Sequence, residues 1–175
     1  MDFLLDREKA VEALVYVASK WPGVGRFHAA KTLYFAERFH VRAYGRPIIG
    51  DRYIAMDNGP VPSFAYDVLK GTVAPEVRPL TEGSLVPVTR YHHPAYEAGR
   101  EPRLEYFSKS DLECLDKAIE YCSRRSFGTL SDETHHHKAW ADADYNGPMK
   151  WDDFLDGADP EVVEEAKAFA AYGVL

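Results

Sequence analysis

The sequence predicts an α+β fold that is predominantly helical, with five or six helices and a small sheet of two or three short strands. Three observations carry this. Several stretches place apolar residues at the spacing of a helix buried along one side. The extended stretches are few and short, and glycine and proline bound them. Strands and helices do not alternate, as a parallel doubly wound sheet requires.

The elements follow in order. The first helix starts at Asp6, carries Val11, Leu14, Val15 and Ala18 on one stripe, and stops at Trp21-Pro22-Gly23. Gly23-Val24-Gly25 reads as a turn between two packed helices, because a Gly-x-Gly that follows a helix and lacks a third glycine is a poor phosphate cradle. The second helix runs from about Phe27 to Ala43. Its apolar residues (Phe27, Ala30, Leu33, Tyr34, Phe35, Phe39) wrap widely around it, which predicts burial on much of its surface. Gly45 and Pro47 stop it. Ile48 to Met56 is extended, and Asp57-Asn58-Gly59 signals a turn. Pro60 and Pro62 forbid a regular central strand after that turn. Pro62 opens a short third helix with Phe64, Val68 and Leu69, closed by Gly71.

Leu85–Tyr91 and Arg103–Phe107 read as two short strands joined by a polar loop containing His92-His93-Pro94. Ser110-Asp111-Leu112-Glu113 reads as a capping box opening a helix whose inner face is Leu112, Leu115, Ile119 and Cys122. A shorter helix covers about Thr129 to Ala141. The last helix spans about 160–171, with Asp159 as N-cap, Pro160 at its first position and Val162, Val163, Ala166, Phe169 and Ala170 inward.

The chain has 175 residues, enough for one domain spanning 1–175 without disulfide or metal staples. No apolar run approaches the roughly 18 residues of a membrane span, and MDFLLDREK lacks the basic start and apolar core of a signal peptide. Cys114 and Cys122 fall on one helix roughly 12 Å apart, beyond disulfide reach. A soluble, cytoplasmic protein with packed, reduced cysteines is the expectation. The net charge of −7 argues against nucleic acid as the main partner. It is unevenly spread. Arg26 to Arg52 holds six Lys/Arg and two acids, whereas Asp132 to Lys167 holds eleven acids and three lysines. Such polarity can steer a charged protein partner.

Catalytic signatures are not found. His135-His136-His137 diverge by about 100° per residue on a helix and cannot converge on one ion. The i, i+4 spacing of metal-binding helices is missing, and His28 and His40 lie too far apart. No serine sits in a Gly-x-Ser-x-Gly elbow, and neither cysteine has the surroundings of a thiolate nucleophile. No metal and no cofactor is expected, and no enzyme activity. The residual enzyme reading is a histidine- or metal-dependent hydrolase built on His135. Arg38 and Arg42 share a helix face, with Arg46 and Arg52 nearby. This basic group fits an acidic protein partner, a nucleic acid, or a solvated surface on which some of these charges pair internally. Together with Asp57, Asn58, Pro60 and Pro62 it forms the candidate partner-binding set, since interfaces centre on a few aromatic or arginine anchors.

One stretch is more specific. Lys31-Thr32-Leu33-Tyr34-Phe35-Ala36 precedes Gly45-Arg46-Pro47-Ile48, then Asp51–Met56, then Gly59-Pro60-Val61-Pro62-Ser63 and Tyr66. Thr134-His135 and Trp140 follow later. This order resembles the Panacea domain of SocA-like antitoxins, with its specific block at 31–66 and a looser element at 134–140. The motif residues Lys31, Leu33, Tyr34, Phe35, Gly45, Pro47, Gly59, Pro60, Val61, Tyr66, His135 and Trp140 read as mainly structural. The resemblance implies an antitoxin that neutralises a cognate protein toxin, SocB-like or another encoded by a neighbouring gene, through protein contact. It also implies an adaptor role, delivering the toxin to the ClpXP protease. Repression of its own operon through DNA is the alternative function, and homo-oligomerisation is left open.

Overall fold

The computed structural model describes residues 1–172. It is α+β and predominantly helical. Helix α1 (Arg7–Lys20) is capped by Asp6, whose carboxylate accepts from the Lys9 N–H. Strand β1 (Val24–Gly25) leads into the long helix α2 (Arg26–Tyr44), which ends at Gly45 in a left-handed conformation. Strands β2 (Tyr53–Met56) and β3 (Gly59–Pro62) form a hairpin that runs straight into α3 (Ser63–Lys70). After the single turn α4 (Arg78–Thr81) come β4 (Leu85–Arg90) and β5 (His93–Ala98). The helices α5 (Lys109–Ser123), α6 (Phe127–His135), α7 (Lys138–Ala141), α8 (Trp151–Phe154) and α9 (Pro160–Tyr172) complete the described chain. The six helices of eight residues or more are the ones periodicity predicts. α4, α7 and α8 are single turns, too short to show a period.

Helix α2 is the axis of the molecule. It packs along α5 and also touches α1, α3, α8, α9 and the β2–β3 hairpin. Its residues Ala29–Glu37 are buried without a break, so the wide apolar arc does mark a helix surrounded by other elements. The close packing reaches its C-terminus. A Cβ on Gly45 would stand 3.0 Å from the Ala166 N and 3.1 Å from the Val162 O of α9. Asp159 accepts from the Glu161 N–H at the start of that helix, as an N-cap does.

The strands differ most from expectation. The described residues form two small sheets, one ordered β1-β5-β4 and one β2-β3. Val24-Gly25 is not merely a turn, because it pairs with Ala95 and Tyr96. Arg103–Phe107 is not a strand but a 3-10 turn over Leu104–Tyr106. The partner of β4 is His93–Ala98 instead, so the histidine loop collapses to a two-residue turn with Arg90 facing His93. Both turn residues, Tyr91 and His92, have positive φ (49° and 66°), the conformation that Asn-Gly usually supplies. Bulky residues there give no sequence signal. The box opening α5 also shifts two residues. Ser108 and Asp111 form it, and Ser110 lies inside the helix. The predicted 129–141 helix is broken at His136-His137 into α6 and α7.

Pro60 and Pro62 do lie in a strand, but an edge one. Met56 faces Gly59 at the tip, so Ile54 and Val61 form the next hydrogen-bonded pair, and the two prolines occupy outward positions that need no N–H. The far side of β2 is completed by the backbone at 146–149, where Ala55 N–H donates to the Gly147 O and Met149 N–H to the Tyr53 O. No helix of the described residues is long and apolar enough to cross a membrane.

Candidate functional site

The 31–66 block and the 134–140 element come together around the β2–β3 hairpin. Lys31, on α2, is 1 % exposed, and its Nζ donates to the Pro60 carbonyl at 2.8 Å. It also lies over the Phe27 ring, and it has no carboxylate partner among the described residues. Burial pushes this ammonium down to about 7. Gly59, next to Pro60, has φ 96°. A Cβ there would overlap the Thr134 hydroxyl oxygen and come within 3.2 Å of Lys31 Nζ. Gly59 therefore lets the hairpin backbone lie directly on α2 and α6. The glycine, the lysine and the threonine are one packing unit drawn from three distant parts of the motif.

Two buried carboxylates hold the segment between α2 and α3. Glu37 accepts from the backbone N–H groups of Ile48, Ile49 and Gly50 at 2.7, 2.9 and 3.0 Å. Burial pushes it up to about 7, against the downward pull of those three bonds. Asp51 accepts from the N–H groups of Phe64 and Ala65. It thus caps α3, whose own cap position, Pro62, offers no side-chain acceptor. Burial raises its carboxyl, again against backbone N–H bonds. A third acid, Asp111 of α5, meets Lys9 at 2.8 Å, Arg46 at 3.0 Å and His40 at 3.1 Å. Burial works against its ionisation, but the bonds to His40 and Lys9 win and hold it well below the usual carboxylate range.

Tyr34 is the aromatic hub. Its ring meets those of Phe35, Tyr53 and Phe154 edge-on and stacks on His137, whose Nδ1 lies 2.8 Å from the phenol oxygen. Burial, then the nearby Arg38 and Arg42, push His137 down to about 4. The three histidines go separate ways. His135 stacks on Trp140 at 4.0 Å, the His136 ring pairs with the Asp132 carbonyl, and His137 meets Tyr34. Trp140 Nε1 donates to the Met56 carbonyl at the hairpin tip. Leu33 and Phe35 are core, Pro47 is buried, and Val61 and Tyr66 are half-buried, with Lys70 over the Tyr66 ring. Burial pushes the Cys114 and Cys122 thiols up to about 11 and about 12. Among the described residues no group of three or more histidine, cysteine or acidic side chains is placed to hold a metal ion.

The four arginines do not form one free stripe. Arg46 is committed to Asp111 and to the Pro47 carbonyl. Arg42 donates to the Gly157 carbonyl. Arg38 is half-buried, near Tyr34, Arg42, Asp156 and Glu133. Arg52 is exposed, as are Asp57 and Asn58 at the hairpin tip, whereas Pro60 and Pro62 are buried. Sequence reasoning missed Glu37, Asp51 and Asp111. Glu37 did carry a signal, being the one acid within the broad apolar arc of α2.

The family model described as "Antitoxin SocA-like, Panacea domain" matches residues 30–141, more than half of the chain. No curated protein and no solved structure matches it. The matched residues run from the first buried turns of α2 to the tryptophan that holds the hairpin tip, and the chain belongs to the SocA-like antitoxin family with a Panacea domain.

Proposed function

We propose that this protein is an antitoxin that binds and neutralises a cognate protein toxin by direct contact. The match of the SocA-like antitoxin model to residues 30–141 carries this reading. The geometry supports it. Within the matched block, Lys31, Glu37 and Asp51 spend their charges on main-chain groups, and the histidines diverge. Such a site is suited to holding a shape and not to transforming a substrate, so the protein acts by binding and not as an enzyme. Of the residues expected to meet a partner, Arg52, Asp57 and Asn58 are exposed. Delivery of the bound toxin to ClpXP is the further step that family membership suggests.

Co-expression with the neighbouring open reading frame tests the reading. That product is expected to arrest growth alone, to be harmless beside this protein, and to co-purify with it. A product that is harmless alone and never co-purifies sinks the idea. The adaptor step predicts that toxin half-life shortens only when both this protein and ClpXP are present. An unchanged half-life leaves neutralisation by binding alone.

A further inference from the structure

We propose that this protein docks a basic segment of its protein partner, carrying an aliphatic or aromatic anchor, on the surface built by the β2–β3 hairpin tip and the segment after α7. This rests on the antitoxin reading and gives its partner a place and a chemistry. The centre of the surface is apolar. Met56 is 38 % exposed and Tyr145 72 % exposed, with the half-buried Trp140 beside them. The indole N–H of Trp140 is spent on the Met56 carbonyl, so the ring offers a partner only apolar area. His135 stacks behind that ring and fixes it. An aromatic that is pre-set in this way loses little entropy on binding.

The rim is acidic. Asp57, Asp142 and Asp144 are all exposed, and Asp57 faces the Tyr145 phenol. The one lysine of α7, Lys138, pairs with both Asp142 and Asp153, and two carboxylates against one ammonium keep this cluster net negative. Lys150 is the remaining cation of this stretch, eight residues beyond Asp142 and exposed. The balance favours a positively charged partner, and exposed charges around an apolar centre set its orientation and rate of arrival. The backbone here is fixed. Asn146 N–H donates to the Ala55 carbonyl, Gly147 N–H to the Asp144 carbonyl, and Asn146 is held at φ 56°. Met56 and Trp140 fall inside the family match, which ends at residue 141, while Asp142, Asp144 and Tyr145 lie just beyond it.

The test measures the affinity of the full chain for the purified product of the neighbouring open reading frame. The variants are Tyr145→Ala and Asp144→Lys, with Lys109→Glu, at an exposed position of α5, as a control. Both sites are exposed, and a melting curve for each variant confirms that it folds. Tyr145→Ala should weaken binding about thirty-fold, the scale of an anchor residue. Asp144→Lys should weaken it about ten-fold, and raising salt to about 0.5 M should weaken the wild type. Lys109→Glu should leave affinity unchanged within about two-fold. A wild type that binds while both variants bind equally well overturns the surface and leaves the antitoxin reading standing. A wild type that does not bind this product at all overturns that reading, and this proposal with it. Variants that abolish self-association but not toxin binding assign the surface to a second copy of the chain and overturn the proposal.

Discussion

The two sides of the β2–β3 hairpin use polar residues in opposite ways. On the α2 side, Lys31, Glu37 and Asp51 are almost wholly out of water, and each is tied to main-chain groups of the Ile48–Ala65 stretch. On the other side, Asp57, Asp142, Asp144 and Tyr145 stand in solvent and hold little in place. A buried charge is tolerated only where hydrogen bonds replace its hydration. The buried side therefore pins the backbone, and substitutions on the exposed side should leave the fold intact. Substitutions on the two sides should separate cleanly in unfolding and binding experiments.

The largest effect is expected at Glu37. Glu37→Ala leaves three buried N–H groups without an acceptor. The cost should be about 4 kcal/mol, read as a lower urea midpoint. Asp111 comes next. Its carboxyl is held low in the folded state, so its stabilisation is present at neutral pH and is lost as pH falls below the ordinary carboxylate range. Asp111→Asn should cost about 3 kcal/mol at pH 7, and it should flatten the acid side of a melting temperature against pH curve. Gly59→Ala should cost about 2 kcal/mol, through strain at positive φ and overlap with the Thr134 hydroxyl. The same change in a Thr134→Ala background should cost less, and a double-mutant cycle measures the difference.

Lys31 gives a smaller signal with a definite sign. Its ammonium is pushed down to about 7, so between pH 7 and its unfolded range the unfolded chain binds the extra proton. Wild-type stability should therefore rise with pH there, by at most about 1.4 kcal/mol per pH unit. Lys31→Met should lack that rise. The smallest effect is expected on the solvent side. Tyr145→Ala should change stability by less than about 0.5 kcal/mol.

Parts of this division were legible in the sequence. The broad apolar arc of α2 and the Asp57-Asn58-Gly59 turn signal are local, and both mark real features. The block also reads as scaffold from residue types alone, because Leu33, Tyr34 and Phe35 cover several faces of one helix. The partners of the buried charges were not legible. Glu37 reaches residues 48–50, Asp51 reaches 64–65, and Asp111 reaches 9, 40 and 46. Such pairings depend on how elements pack, which no local pattern encodes. For the same reason the sequence does not say which of the arginines pair internally; Arg46 and Arg42 do. The β4–β5 hairpin escaped because Tyr91 and His92 occupy a turn that usually announces itself with glycine or asparagine.

Urea unfolding of Glu37→Ala beside Tyr145→Ala, with toxin affinity measured on the folded fraction of each, tests the division between scaffold and surface most directly. The account predicts that Glu37→Ala loses about 4 kcal/mol of stability with an unchanged denaturant slope, while Tyr145→Ala keeps its stability and loses affinity. A Glu37→Ala protein that unfolds at the wild-type midpoint would contradict it, because the carboxylate would then not be what pins residues 48–50.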